Sequence, residues 1–146
     1  MKRIPKIIFS TILLLIPIFS CKKNDVNASF PTVPVNITIY LTTYPYTQLN
    51  SIGNHAYVTN AGYRGIVIYR KSLDEFAAFD RACPYDPTAS GSLLDVEASG
   101  LIMADGKCGS KFSLYDGSVI NGPATAPMKS YHVDYNSTSG TLLIYN

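Results

Sequence analysis

The chain has 146 residues, of which 47% are hydrophobic, and its 12 basic and 10 acidic residues give a formal net charge of +2. Three of the basic residues, Lys2, Arg3 and Lys6, lie at the N-terminus, so the rest of the chain carries about as many negative as positive charges. This balance leaves no basic patch that would favour nucleic acid. The length predicts one domain with room for a hydrophobic core.

The N-terminal segment has the pattern of an export signal. The three basic residues precede an apolar run at 7–19, which is shorter than the roughly 20 residues that span a bilayer. The run ends in IFSC at 18–21, which resembles a bacterial lipobox, where the peptide is cut before a cysteine that then carries lipid. We therefore expect a signal peptide at 1–20 and a lipid on Cys21. An ordinary secretory signal is the alternative. The lipoprotein prediction places the protein in the bacterial cell envelope, bound to a membrane and facing the periplasm or the exterior.

A polar stretch follows, and it contains Pro31 and Pro34. It predicts a tether at 21–34 between the lipid and a folded domain at 35–146.

The folded part shows the period of β-strands. Apolar residues alternate with more polar ones over 35–41, as on a half-buried strand. Further strands are predicted at 56–59, 66–70, 76–79, 101–104, 111–114, 118–120, 131–135 and 142–145, separated by turn sequences such as Asp116-Gly117 and Ser139-Gly140. The only helical turn expected is at 72–75, where Ser72 could cap. Many short strands predict an all-β domain, either a small barrel or a sandwich.

Two cysteine-containing loops lie among these strands, RACPYDP at 81–87 and DGKCGSKF at 105–112. Together with FDRACP at 79–84, GSKF at 109–112, DGSV at 116–119, GPA at 122–124 and PMKSYHV at 127–133, they resemble a Rieske-type domain over roughly 35–146. The resemblance implies an all-β fold with a subdomain of two apposed loops that binds a [2Fe–2S] cluster.

The ligand pattern of that family is C-x-H in loop one and C-x-x-H-G-S-x-F in loop two, so that two cysteines hold one iron and two histidines the other. In loop one, Cys83 matches the cysteine and Tyr85 stands at the histidine position. An ungapped match of loop two, which we prefer, places Asp105 at the cysteine position and Cys108 at the histidine position. A gapped match instead places Cys108 at the cysteine position and Lys111 at the histidine position.

Neither match supplies four good ligands, because a phenol or an ammonium is a poor substitute for imidazole. We therefore expect no cofactor, with an atypical [2Fe–2S] cluster as the alternative. The apposed loops of the family would bring Cys83 and Cys108 together, and the pair is expected to form a disulfide in an exported protein. A redox-active dithiol is a third possibility.

No paired acid and base, activated nucleophile or phosphate loop is present that would indicate catalysis by the chain itself. The sequence predicts a membrane-anchored, non-catalytic binding or structural module, whose partner is an unknown protein or small molecule. The alternative is an electron-transfer protein that serves an oxidoreductase.

Overall fold

A computed structural model describes residues 30–146. The predicted signal peptide, Cys21 and most of the predicted tether lie outside the described residues, so those predictions stay untested. Within the described part, no helix is both long enough and apolar enough to cross a membrane.

The described residues form two antiparallel sheets. The six-stranded sheet has the order β1-β10-β9-β4-β3-β2, with strands β1 (Asn36–Tyr40), β2 (His55–Val58), β3 (Ile66–Arg70), β4 (Phe76–Asp80), β9 (Ser130–Asn136) and β10 (Thr141–Tyr145). The four-stranded sheet has the order β5-β6-β7-β8, with strands β5 (Leu94–Val96), β6 (Ile102–Asp105), β7 (Lys111–Ser113) and β8 (Val119–Asn121). The predicted all-β architecture is confirmed.

Three local features differ from the sequence predictions. Strand β5 was not predicted, and neither was a short 3₁₀ helix at Tyr46–Asn50. The predicted helical turn at 72–75 is wrong: these residues form the turn of the β3–β4 hairpin. Ser72 does make a capping-type bond, since its hydroxyl accepts the Glu75 N–H at 3.1 Å. That bond closes the hairpin turn and starts no helix.

The hydrophobic core has two parts, and the second one leads to the site. One cluster lies under the six-stranded sheet, and the predicted inward face of β9 with Tyr131, Val133 and Tyr135 packs there. The second cluster joins side chains of both sheets, including Phe79 from β4 and Phe112 from β7. Cys83 belongs to this second cluster and is fully buried. The loops that carry the cysteines are therefore anchored on the contact between the sheets.

Asp80 fixes the point where β4 ends and loop one begins. Its fully buried carboxylate accepts the Tyr131 hydroxyl at 2.8 Å, the Tyr63 N–H at 2.6 Å and the Ala82 N–H at 2.9 Å. Gly62 lets the chain approach this carboxylate: it has a φ of +75°, and a Cβ there would lie 2.7 Å from the Asp80 Oδ2 atom. Asp80 thus joins strand β9, the β2–β3 connection and loop one.

Candidate functional site

Loop one connects β4 to β5 and is held along the four-stranded sheet by Arg81. The Leu94 N–H donates to the Arg81 carbonyl at 2.8 Å, and the Arg81 Nε donates to the Leu94 carbonyl at 2.9 Å. The same guanidinium pairs with Asp95 and lies 4.0 Å from the centre of the Tyr57 ring. Arg81 is buried, and its acidic partner Asp95 lies on strand β5, which the sequence did not predict.

Loop two is the tight turn between β6 and β7. The Asp105 N–H donates to the Ser110 carbonyl at 3.0 Å, and the Gly109 N–H donates back to the Asp105 carbonyl at 2.9 Å. Gly109 has a φ of +79°, a left-handed conformation that favours glycine. This turn directs Cys108 back toward loop one.

The two cysteine sulfurs meet at the apposition of the loops. Their Sγ atoms lie 3.6 Å apart. Cys83 is buried, whereas Cys108 is half-buried. The predicted disulfide is not formed in this structure, because both residues are free thiols and an S–S bond needs about 2.05 Å. The predicted proximity of the two side chains is nevertheless present.

Asp105 is the third donor at this point. Its ligand oxygen and the two sulfurs all lie within 4.8 Å of one another. The residue is 1% exposed, and its Oδ1 accepts the N–H groups of Lys107 at 2.7 Å and Cys108 at 3.3 Å. Its Oδ2 accepts the Ser92 hydroxyl at 2.5 Å. Sequence reasoning missed Ser92, since nothing in its neighbourhood marks it as a partner of loop two.

Burial and hydrogen bonding set opposite protonation states for two of these donors. Burial raises the pKa of the Cys83 thiol to about 12, and the neighbouring Cys108 and Asp105 side chains add to this. Burial would also raise the pKa of Asp105. Bonds from the Ser92 hydroxyl, the Lys107 N–H and the Cys83 thiol outweigh it and lower the pKa of that carboxyl. At neutral pH, a protonated thiol therefore faces a buried carboxylate.

The remaining predicted ligand positions lie at the edge of this group. Tyr85 lines a cavity of about 310 Å³ together with Cys108, Lys107 and Pro123. Lys111, the candidate of the gapped match, lies on β7, where its Nζ pairs with the Glu97 carboxylate at 2.7 Å. The structure brings together Cys83, Asp105 and Cys108. These are three of the four positions in the ungapped match.

Ser110 ties the cysteine to the loop that follows β8. Its fully buried hydroxyl accepts the Cys108 thiol at 3.1 Å and the Ala124 N–H at 3.0 Å. The Ser110 N–H also points at the Cys108 sulfur, at 3.5 Å. The GPA segment at 122–124 is thereby held against loop two.

A cluster with two cysteine and two histidine ligands does not fit the described residues. His55 lies on β2 beside Tyr57, and His132 lies on β9, stacked on Tyr145. Neither imidazole belongs to the loop site. The three donors that do converge surround one point, whereas two sulfide-bridged irons need ligands on opposite sides. In the ungapped match, Cys83 and Asp105 stand at the two cysteine positions of the family site, and Cys108 stands at one of its two histidine positions.

Comparison with solved structures shows similarity to Rieske proteins and ferredoxins. The plasma membrane Rieske protein PetC3 from Synechocystis PCC 6803 has 15% identity and a TM-score of 0.51, over 77% of this chain and 98% of that chain. The ferredoxin of carbazole 1,9a-dioxygenase from Nocardioides aromaticivorans IC177 has 16% identity and a TM-score of 0.49, over 77% of this chain and 97% of that chain. The Sphingomonas yanoikuyae B1 ferredoxin has 21% identity and a TM-score of 0.47, over 68% of this chain and 93% of that chain.

No protein-family model matches the chain, and no curated protein matches it either. At these identities, the structural likeness establishes the fold alone. The fold that the loop motifs implied is confirmed: this chain has a Rieske-type all-β fold.

Proposed function

We propose that this chain is an electron-transfer protein whose redox centre is iron held by Cys83 and Cys108. The observation that carries the proposal is the 3.6 Å separation of two sulfurs that come from two different loops. Two thiolates about 2.3 Å from one tetrahedral metal ion lie roughly 3.8 Å apart. The two sulfurs are therefore already spaced as ligands of one ion.

The surroundings of the sulfurs support the same conclusion. Cys83 and Asp105 are both almost fully buried, and no lysine or arginine head group is hydrogen-bonded to the Asp105 carboxylate among the described residues. A buried carboxylate without a cationic partner is costly. A metal cation between the three donors would supply the missing positive charge. The Ser110 N–H at the Cys108 sulfur would in addition stabilise a thiolate.

The Rieske-type fold adds an argument by analogy, since members of that family use the same pair of loops for an electron-transfer centre. We propose further that the protein works at a bacterial membrane through a lipid on Cys21 and passes electrons to or from an oxidoreductase partner. This part depends on the N-terminal sequence pattern.

A second candidate is a metal-free scaffold in which Cys83 and Cys108 form a disulfide. It is favoured by the contact of the two sulfurs and by the absence of imidazole among the loop-site donors. A bond between them would close a loop of 26 residues, which is worth about 3–4 kcal/mol in the chain-entropy estimate. The protein would then be a binding or structural module.

Iron loading separates the two candidates. The full-length protein, purified in detergent under reducing and oxygen-free conditions, is supplied with Fe²⁺ alone or with Fe²⁺ and sulfide, and then desalted. If the protein transfers electrons, it should retain iron after desalting. Its visible spectrum should bleach on reduction and return on oxidation over repeated cycles. Cys83→Ser and Cys108→Ser should each lose the iron, whereas Thr88→Ser, a small change at an exposed residue of loop one, should retain it.

The contrary result is a protein that retains no iron under either condition. The scaffold candidate then makes its own prediction for the same protein, purified without reductant and unfolded: no titratable thiol at Cys83 or Cys108, and a mass lower by two hydrogens than after reduction. Two titratable thiols would exclude the disulfide.

A further inference from the structure

The loop site brings together three donors, two thiols and one carboxylate. The family's site has four, namely two thiolates and two imidazoles. We propose that Cys83, Asp105 and Cys108 bind a single divalent ion that prefers thiolate, such as Zn²⁺ or Fe²⁺, through two sulfurs and one carboxylate oxygen. The proposal deepens the function above by fixing the number of ions. It does not depend on redox chemistry, since Zn²⁺ would occupy the same site without changing oxidation state.

The carboxylate of Asp105 is oriented as a ligand would be. A carboxylate offers about four lone-pair positions. Two on Oδ1 receive the Lys107 and Cys108 N–H groups, and one on Oδ2 receives the Ser92 hydroxyl. The fourth position faces the Cys83 thiol, whose proton would leave when a metal binds, and the ligand oxygen of Asp105 is within 4.8 Å of both sulfurs. The three bonds hold the carboxylate in place, as hydrogen bonds from surrounding groups commonly hold metal ligands.

The fourth position of a tetrahedral ion would be left to water or to a small anion. Sites with three protein ligands and one open position are common for zinc. Cys108 contributes to the wall of the cavity of about 310 Å³, together with Tyr85 and Lys107. A molecule in this cavity would approach the ion from the side of Cys108.

Binding would exchange protons for the metal. Two neutral thiols and one carboxylate would take up one divalent cation, two metal–sulfur bonds and one metal–oxygen bond would form, and the two thiol protons would pass to solvent. No oxidant or reductant takes part.

Titration with Co²⁺ tests the number and the identity of the ligands. The full-length protein, kept reduced and free of oxygen, should saturate at one Co²⁺ per chain, with the visible bands of a tetrahedral ion and thiolate charge-transfer absorption in the near ultraviolet. Zn²⁺ should displace the Co²⁺ and abolish the colour at one Zn²⁺ per chain. Cys108→Ser should lose about half of the charge-transfer absorption for each ion still bound, since one of two thiolates is removed.

Asp105→Asn isolates the carboxylate. It should weaken Co²⁺ binding by more than the ~10–100-fold that loss of an outer hydrogen-bonding partner costs metal sites. Asp116→Asn, at an exposed carboxylate in the β7–β8 turn, should bind as the wild type does. Circular dichroism without metal checks that each variant folds, and the Cys108→Ser spectrum reports on the site if Asp105→Asn does not fold.

The proposal is overturned if Co²⁺ is not bound, if Asp105→Asn binds as tightly as the wild type, or if two irons and two sulfides assemble per chain. In the last case, electron transfer at the cysteines would stand while the single-ion site would not. If one Co²⁺ or Zn²⁺ binds but the iron-loaded protein cannot be reduced and reoxidised, the single-ion site stands and the proposed electron-transfer function is excluded.

Discussion

Asp105 determines the geometry of loop two. It ends strand β6, its backbone closes the turn to Ser110, and its side chain holds the N–H groups of Lys107 and Cys108. One residue thus shapes the turn and presents a carboxylate to the cysteines.

Ser92→Ala tests how much the carboxylate depends on its hydroxyl partner. The Ser92 hydroxyl lies 2.5 Å from Oδ2, and both residues are buried. Its removal leaves part of an ionised group without a donor, so we expect the free energy of unfolding to fall by about 1–3 kcal/mol. Urea denaturation with a metal chelator present measures this. Ser90→Ala, at an exposed position in the same loop, should change stability little, and an equal effect of both variants would contradict the assignment.

The residues of the site could be named from the sequence only in part. Cys83, Asp105 and Cys108 follow from the resemblance of the loops to a known pattern, and the structure brings all three together. Ser92 could not be found, because a serine among Thr88, Ala89, Ser90 and Gly91 has the composition of any loop. Its role depends on the pairing of β5 with β6, which local sequence does not encode.

At the scale of elements, the strands with clear alternation were predicted within one residue at each end. The β9–β10 hairpin has the predicted inward face, with Val133 paired with Ile144 and Tyr135 with Leu142. Strand β5 has only three residues and contains Asp95, so it gives almost no periodic signal. It is defined by its long-range partners, namely β6 and the Arg81 side chain.

The hydrogen bond between Tyr131 of β9 and Asp80 of β4 should make the stability of the fold depend on pH in the alkaline range. Burial raises the pKa of Tyr131 above its ordinary value of 10.0, and the bond to Asp80 adds to this. Because the folded-state pKa is the higher one, the stabilisation is present below about pH 10 and is lost as the pH rises further. The slope contributed by one such proton is about 1.4 kcal/mol per pH unit.

Tyr131→Phe should therefore lower the free energy of unfolding by about 1.5–3 kcal/mol at neutral pH, and the deficit should shrink as the pH rises above 10. Denaturation at a series of pH values measures the difference. Cys83, whose pKa is also raised, contributes to both proteins and cancels in the comparison. Tyr44→Phe, at an 87% exposed tyrosine, should show no such trend; a constant Tyr131→Phe deficit across the series would contradict the account.

At the scale of the whole molecule, the folded domain presents its loop site on one side, and the predicted lipid would attach at the N-terminus. Cys21→Ser tests that prediction in bacterial cells supplied with a labelled fatty acid. The wild type should be found in the membrane fraction and should carry the label. The Cys21→Ser protein should be absent from the membrane fraction and unlabelled. Cys108→Ser is the matched control and should keep both properties. Label on the Cys21→Ser protein would exclude lipidation at that residue.

Cys83 and Cys108 are proposed to hold a redox-active iron on a Rieske-type fold, and X-ray absorption at the iron K-edge reports on the state and the neighbours of that iron. The spectrum is recorded on the iron-loaded, full-length protein in its oxidised and reduced states. Iron held by these two cysteines should give a reversible edge shift and two sulfur neighbours at about 2.3 Å in the wild type, whereas Cys108→Ser should retain too little iron to give an edge. An iron surrounded only by oxygen or nitrogen, or an edge that does not move between the two states, would contradict the proposal.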